Sequence, residues 1–414
     1  MTHETGNSVS DPKARASRAM QPRIWWRAHQ WAGLNFSILI SFIFMTGTLA
    51  VFDNEIDWLL NPAFRVDPKT VSSEMNWESA VQSLAGKFPA YKVIRVTSPI
   101  DRGFAAVAIV QPPKSRQKRV YIHPETGSIQ GVGGSITAEQ ILHDIHRKLM
   151  LPTGIGTAIV SSMSLMLLTS LSTSFYVYRR WWRGFFRPIR LSNMRTALGD
   201  VHRLAGVWSL LFIVVLSLTS SWYFIRSIGL APHEPRGVQV AGIEVSTKDE
   251  IENFEQALDR ARRALPDLSV RSVLFPKPRT GVYSFYGQDG SWLVRDFATA
   301  VYVNAKTFDV ELVRTPKELN FFERVGETVD PVHFGSFAGV WSKIAWFCFG
   351  LLLTGMSLTG AAIYVSRLTR PDGSKLTFRK GLGAALAGMG RWKYLTIALL
   401  AACAVSLTLS ILRF

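Results

Sequence analysis

Apolar residues gather into five runs, near Trp31–Phe52, Ile155–Tyr178, Leu204–Ile225, Phe337–Val365 and Tyr394–Leu412. Each is long enough to cross a bilayer core, which takes about 20 predominantly apolar residues as a helix. The fourth is the longest and has length to spare for tilt. The first follows a basic, Trp-rich stretch, Arg23-Ile-Trp-Trp-Arg27, and no small-residue cleavage site follows it, so it reads as a retained anchor rather than a removed signal. Residues 1–24 are polar and small, and are expected to form a cytoplasmic tail without fixed structure.

Between the runs the periodicity changes. Trp77–Phe88 has a helical repeat, with Ala80, Val81, Leu84 and Ala85 on one face. Alternating stretches around Lys92–Thr97 and Ala105–Val110 predict strands, and Val120-Tyr-Ile-His-Pro-Glu-Thr-Gly127 predicts a strand running into a Gly-closed turn. The second long polar segment repeats the plan, with a helix over about Lys248–Ala264 and strands near Val270–Phe275, Gly281–Tyr286 and Ala300–Asn304. Tyr302-Val-Asn-Ala-Lys-Thr-Phe-Asp-Val310 echoes Tyr121-Ile-His-Pro-Glu-Thr-Gly-Ser-Ile129, which predicts an internal duplication. The chain thus divides into spans at 25–52, 153–178, 204–226, 337–365 and 394–412. Two α+β units lie at 53–152 and 227–336, and basic loops at 179–203 and 366–393.

Charge orients these pieces. Residues 1–30 carry 5 basic and 2 acidic side chains, 179–203 carry 7 and 1, and 366–393 carry 7 and 1. The long segments are balanced, 12 against 10 in 53–152 and 13 against 16 in 227–336, so the three short ones hold +15 of the net +17. By the positive-inside rule the short segments are cytoplasmic and both long segments are outside. The basic charge is then a topology signal, and no basic groove interleaved with stacking aromatics points to nucleic acid. The two cysteines, Cys348 and Cys403, fall inside spans, so no disulfide framework holds the exported units. No Cys-x-x-Cys-His occurs, and any haem would be held non-covalently.

Of the eight histidines, His3 falls in the tail and His123 in a strand turn, where surface roles are expected. Five of the other six, His29, His143, His146, His202, His233 and His333, stand just before an apolar run. Topology sorts them: His29 and His202 at the cytoplasmic face, His146 (with His143 one turn earlier) and His333 at the outer face. His29-Gln-Trp-Ala-Gly33 and His202-Arg-Leu-Ala-Gly206 share one pattern. Two imidazoles from facing helices can clamp a haem inside a bundle. Gly33 and Gly206 follow their histidines by one turn on the same face, where they leave room for a flat macrocycle. Arg27, Arg203 and Arg147 stand close enough to pair with propionates. Each histidine taken singly reads equally well as an ordinary interfacial residue. Zinc competes for such pairs, but no third or fourth ligand clusters in the sequence beside either one. Lys343 lies inside the fourth span, and Met163, Met166 and Met356 read as packing.

With these residues in view, the exported units resemble PepSY domains. The spans are similar to the PepSY-associated transmembrane-helix family of bacterial inner-membrane proteins, which includes siderophore-linked ferric reductases. The matching pieces are Arg27-Ala-His-Gln-Trp-Ala-Gly33, Ile145-His-Arg-Lys-Leu149 with Gly154 and Gly156, Asp200-Val-His-Arg-Leu-Ala-Gly206, and Pro331-Val-His-Phe-Gly335 with Leu353-Thr-Gly355. The resemblance covers about Trp25–Arg367. It implies an α-helical integral membrane protein with a four-helix core holding two b-type haems, two PepSY-like periplasmic units and a fifth C-terminal span. His29 and His202 would hold the inner haem, and His146 and His333 the outer one, with His143 competing for the place of His146. Electrons would move outward to a ferric siderophore or another periplasmic acceptor. No nucleotide-binding glycine motif opens a helix, so the donor would be a cytoplasmic flavin reductase, a reduced flavin or a membrane quinol. The rival from another class is a non-redox protein whose PepSY units bind a peptide, regulate a protease or sense a ligand. A transporter subunit is a third, lowered by the lack of inverted repeats with broken helices.

Overall fold

The computed structural model describes residues 12–71, 74–231, 251–277, 280–368 and 378–412. His3, His233 and the start of the helix predicted from Lys248 lie outside the described residues. The chain forms two units, one from Met1–Val51, Asp144–Ile228 and Trp341–Phe414, the other from Phe52–His143 and Gly229–Val340.

The first unit is helical. Among the described residues, four of its helices are long and apolar enough to cross a membrane: α6 (Thr153–Val177), α8 (Leu210–Ser227), α11 (Gly339–Leu368) and α13 (Trp392–Leu412). A fifth crossing is available if α1 (Pro12–Asn35) and α2 (Ser37–Ala50) are taken together. That pair corrects one expectation: its first helix begins at Pro12, inside the stretch expected to lack structure. The pair is bent by 63° at Phe36. Hydropathy averages apolarity over a window and carries no information about φ and ψ, so the break, where Phe36 sits at φ −119° and ψ 17°, leaves no mark in it. The third predicted span is likewise interrupted, at Ser209, between α7 (Met194–Trp208) and α8. Asn193 starts α7 by accepting a hydrogen bond from the Thr196 N–H. His29 and His202 therefore sit on α1 and α7, the helices that lead into α2 and α8.

Many buried positions in this unit are small and hydroxylated: Ser37, Ser41, Thr46 and Thr48 on α2, beside Leu39 and Ile43, and Ser161, Ser164 and Thr173 with Gly156 on α6. Lipid is as apolar as a protein core, so spans gain little by hiding Leu from it and instead pack through small residues that let backbones approach. Ser41 donates to Ser357 at 2.9 Å, tying α2 to α11. A separate apolar cluster joins Phe212, Ile213 and Leu353 to Phe44, Trp346, Phe349 and Met356.

The second unit is built on one antiparallel sheet, ordered β4-β3-β2-β1-β5-β6-β7-β8. The first long polar segment supplies β1 (Lys92–Thr97), β2 (Ala106–Gln111), β3 (Lys118–Ile122) and β4 (Ile129–Gly133). The second supplies β5 (Ser269–Leu274), β6 (Val282–Gln288), β7 (Thr299–Asn304) and β8 (Val310–Arg314). Strands from the two segments share this sheet because β1 pairs with β5 through Arg95–Leu274, Val96–Val273 and Thr97–Ser272. Helices α4 (Trp77–Lys87) and α9 (Phe254–Ala264) bury Ala80, Val81, Leu84, Ala257, Leu258 and Ala261 against one face of the sheet. That face is made by alternate residues such as Ala106, Ala108 and Val110, or Tyr283 and Phe285, as the two-residue period of a strand requires. Arg262 reaches Glu78 at 3.0 Å between the two helices. His123 behaves as its turn position suggests: its Nδ1 accepts from the Glu125 and Thr126 N–H groups, and its Nε2 lies 3.0 Å from Thr70 Oγ1. Two more helices, α5 (Ala138–Lys148) and α10 (Phe321–Phe334), carry His143, His146 and His333. Asp57 caps α5 by accepting from the Ala138 and Glu139 N–H groups. An Asn320–Glu323 capping box starts α10, and Gly335 at φ 69° ends it.

Candidate functional site

His29 and His202 come together. Their ring centroids are 6.4 Å apart and their planes are nearly perpendicular, at 80°. Each Nδ1 faces a main-chain carbonyl of another helix. His29 Nδ1 lies 3.0 Å from Ser170 O of α6, and His202 Nδ1 lies 2.9 Å from Met356 O of α11. A carbonyl oxygen can only accept, so both Nδ1 atoms carry the proton and both Nε2 atoms carry the lone pair. Threonine hydroxyls reinforce each contact, Thr173 at 3.2 Å from His29 and Thr359 at 3.3 Å from His202. Four helices, α1, α6, α7 and α11, thus converge on two imidazoles whose free nitrogens are of ligating type.

The flanking residues named from the sequence are placed as follows. A Cβ at Gly33 would meet nothing within 4 Å, and one at Gly206 would meet only the Met356 sulfur at 3.4 Å. Arg203 donates to Arg187 O at 3.0 Å and stands 3.6 Å from Asp200, but its Nε and Nη1 are buried with no hydrogen-bond partner. Asp200 also receives the Arg190 backbone N–H at 2.9 Å and two guanidinium bonds, at 2.9 and 3.2 Å. The Arg190 guanidinium holds the Asp200 carboxyl well below the usual carboxylate range. Arg27 and Arg147 are exposed.

His146 has the same kind of seat in the helical unit. Its Nδ1 lies 3.0 Å from Ile43 O of α2, and its ring lies against Gly47, where a Cβ would stand 2.5 Å from Cε1 and 2.8 Å from Nδ1. Any side chain at position 47 would displace the imidazole. In the sheet unit, the His143 ring packs against Phe334 at 6.0 Å, and the His333 ring against the same Phe334 at 5.6 Å.

A family model described as PepSY-associated TM region matches residues 26–367. The chain belongs to this family. With its apolar helices, this member of the PepSY-associated TM family is a membrane protein. No curated protein matches the sequence.

The carbonyls of Ser170, Met356 and Ile43, and the close approach at Gly47, were not found from sequence. Main-chain acceptors are present at every residue and leave no trace in side-chain identity. A Thr-Gly dipeptide stands at two of these places, Thr46-Gly47 and Thr359-Gly360, but it recurs at Thr153-Gly154, Thr280-Gly281 and Thr354-Gly355 and so marks nothing by itself; His202 Cε1 lies 3.3 Å from a Cβ built on Gly360.

Proposed function

We propose that this membrane protein holds two b-type haems non-covalently between its helices and carries electrons outward to a ferric siderophore or a similar acceptor. The His29–His202 pair is the observation that carries this reading. Two metal–nitrogen bonds of about 2 Å each, with the half-width of each ring, account for a centroid separation of the order observed, 6.4 Å. When bound there, a haem supplies reversible one-electron chemistry with no open coordination position.

The protein's own residues do the rest. His29 and His202 would hold the haem iron through Nε2. The Ser170 and Met356 carbonyls hold the opposite Nδ1 protons, which fixes tautomer and ring orientation and makes each imidazole a stronger donor. Gly33 and Gly206 keep space clear beside the pair. The unpartnered Nε and Nη1 of Arg203 offer two donors to a carboxylate such as a propionate. The Phe212–Leu353 cluster, which includes Met356, keeps water away from the helix interior.

His146 and His333 form the second pair in this reading, with Arg147 on the side of His146. His146 is favoured over His143 because its Nδ1 is held on a main-chain carbonyl, as in both inner histidines, whereas His143 stacks on Phe334. The basic segments face the cytoplasm, where a flavin reductase, reduced flavin or quinol delivers electrons.

Haem stoichiometry tests this directly. The purified protein should be red, with a six-coordinate low-spin spectrum and about two haems per chain. Reconstituted in vesicles with reduced flavin inside, it should reduce ferric siderophore outside. A colourless preparation from haem-replete cells overturns the proposal.

A further inference from the structure

The basic segment between α6 and α7 is folded onto its neighbours. The chain leaves α6 at Val177 and makes a 3-10 turn at Trp181–Gly184. A Cβ at Gly184 would stand 3.0 Å from the Tyr178 ring and 3.2 Å from Val207 of α7, so the backbone passes tightly between them. Trp208 donates its indole N–H to Phe185 O at 3.1 Å, and Arg203 donates to Arg187 O. Phe185 and Phe186 both pack on the Trp208 ring, at 5.8 and 6.2 Å. Arg190 closes the arrangement through its bonds to Asp200.

This bracing fixes what faces outward. Asp200 is the one acidic side chain of 179–203, and it is buried with Arg190 and Arg203 against its carboxylate. Arg179, Arg180, Arg183, Arg187 and Arg195 are exposed, and none of the five makes an ion pair among the described residues. Apolar side chains stand between them. Phe186 is 89% exposed and Leu191 84%, and Trp182, Ile189 and Met194 are exposed as well. A loop surrounded by water gains nothing by holding Phe and Leu out at fixed positions, so a contiguous patch of this kind marks a surface with a partner.

Two observations select that partner. The segment begins where a helix long and apolar enough to cross a membrane ends, so it is continuous with a bilayer-facing surface. Five arginines without acidic partners are complementary to anions, and their alternation with exposed rings suits the headgroup region, where rings take the apolar side and guanidinium groups the phosphates. The rule that orients spans counts all seven arginines of the segment alike. The fold separates them, since Asp200 takes up two and the rest are presented together.

We propose that residues 179–195 form a binding surface for anionic phospholipid of the adjoining leaflet, with Arg179, Arg180, Arg183, Arg187 and Arg195 on the phosphates and Trp182, Phe186 and Leu191 among the upper acyl chains. The inference needs the protein to lie in a membrane and is independent of what its histidines ligate.

The test measures, by mass spectrometry, the lipid that the full-length protein retains from an equimolar mixture of phosphatidylglycerol and phosphatidylcholine in detergent. The wild type should prefer phosphatidylglycerol, and the preference should fall when the wash is raised in salt. Arg183→Gln with Arg187→Gln should lower it about thirtyfold, about fivefold for each arginine beside an anionic surface. Removing the same charge from the other basic segment, by Arg379→Gln with Lys380→Gln at exposed positions, should leave it unchanged. Phe186→Ser should weaken retention of both lipids alike. Should the glutamine pair fail to fold, Arg195→Gln alone reads the same effect at about fivefold. Equal retention of the two lipids by the wild type overturns the proposal. So does an equal loss in the two double variants, which would make the preference a matter of total charge. Displacement of phosphatidylglycerol by inorganic phosphate at equal concentration would reduce the surface to a phosphate site. A dimer on a sizing column that Phe186→Ser dissociates, with lipid preference untouched, would place a second copy of the chain on this face instead.

Discussion

All six residues of β7 are buried, whereas only 17% of the most apolar window of α6 and 11% of that of α13 is buried inside the protein. Both regions are apolar in sequence, yet they use apolarity in opposite ways. In the sheet unit the surroundings are water, and Tyr283, Phe285, Val301 and Val303 gain by leaving it. In the helical unit the surroundings are lipid, so many Leu and Phe face outward at no cost, and beside the Phe212–Leu353 cluster much of the interior is left for Ser, Thr, Gly and imidazole. Polar side chains in such an interior must find partners within the protein, and the histidines find theirs in main-chain carbonyls.

That contrast can be broken or sharpened by substitution. The largest effect expected is all-or-none: His202→Ala should abolish one haem signal, His29→Ala the same one, and both should spare the other, as judged by absorbance per chain. His123→Ala in the sheet unit should spare both. Loss of neither signal in the His29 and His202 variants would move the interpretation to a non-redox anchor. Next in size, Phe285→Ala should destabilise the sheet unit by about 3–5 kcal/mol by leaving a cavity in a fully buried site. Thermal unfolding and protease sensitivity would report it, with the absorbance of retained haem unchanged. Gly47→Ala is smaller in volume and opposite in kind. It forces a methyl to 2.5 Å from His146 Cε1, an overpacking of about 1–3 kcal/mol. The His146 centre should change spectrally while the His29–His202 centre does not. The smallest effect belongs to Leu165→Ala on the lipid-facing side of α6, where 43% of the residue is exposed. It should stay within about 0.5 kcal/mol, and a penalty as large as that of Phe285→Ala would show that this face is packed against something other than lipid.

Much of this was readable along the chain, because it depends on neighbours in sequence. Apolar runs coincide with α6, α11 and α13 to within a few residues, and the helical and alternating periods locate α4, β1 and β2. The shared His-x-x-Ala-Gly pattern already groups His29 with His202. What was missed has a common cause. The bend at Phe36 and the break at Ser209 are backbone events inside stretches of uniform hydropathy. The joining of two segments into one sheet depends on three residue pairs between β1 and β5, from segments far apart in the chain. The contact that sets His146 apart from His143 is also with a distant partner, Ile43 O.

The sequence by itself therefore determined which residues face lipid and which face water, where helices and strands form, and which histidines stand at the ends of spans, since all of these follow from local composition and period. Only the tertiary structure decided how the imidazoles are held. Their partners are main-chain carbonyls one or more helices away, and every residue has a carbonyl. Which one receives an Nδ1 proton is a property of how the helices pack, through small residues such as Gly47 and Gly360 that admit a ring where any side chain would exclude or crowd it.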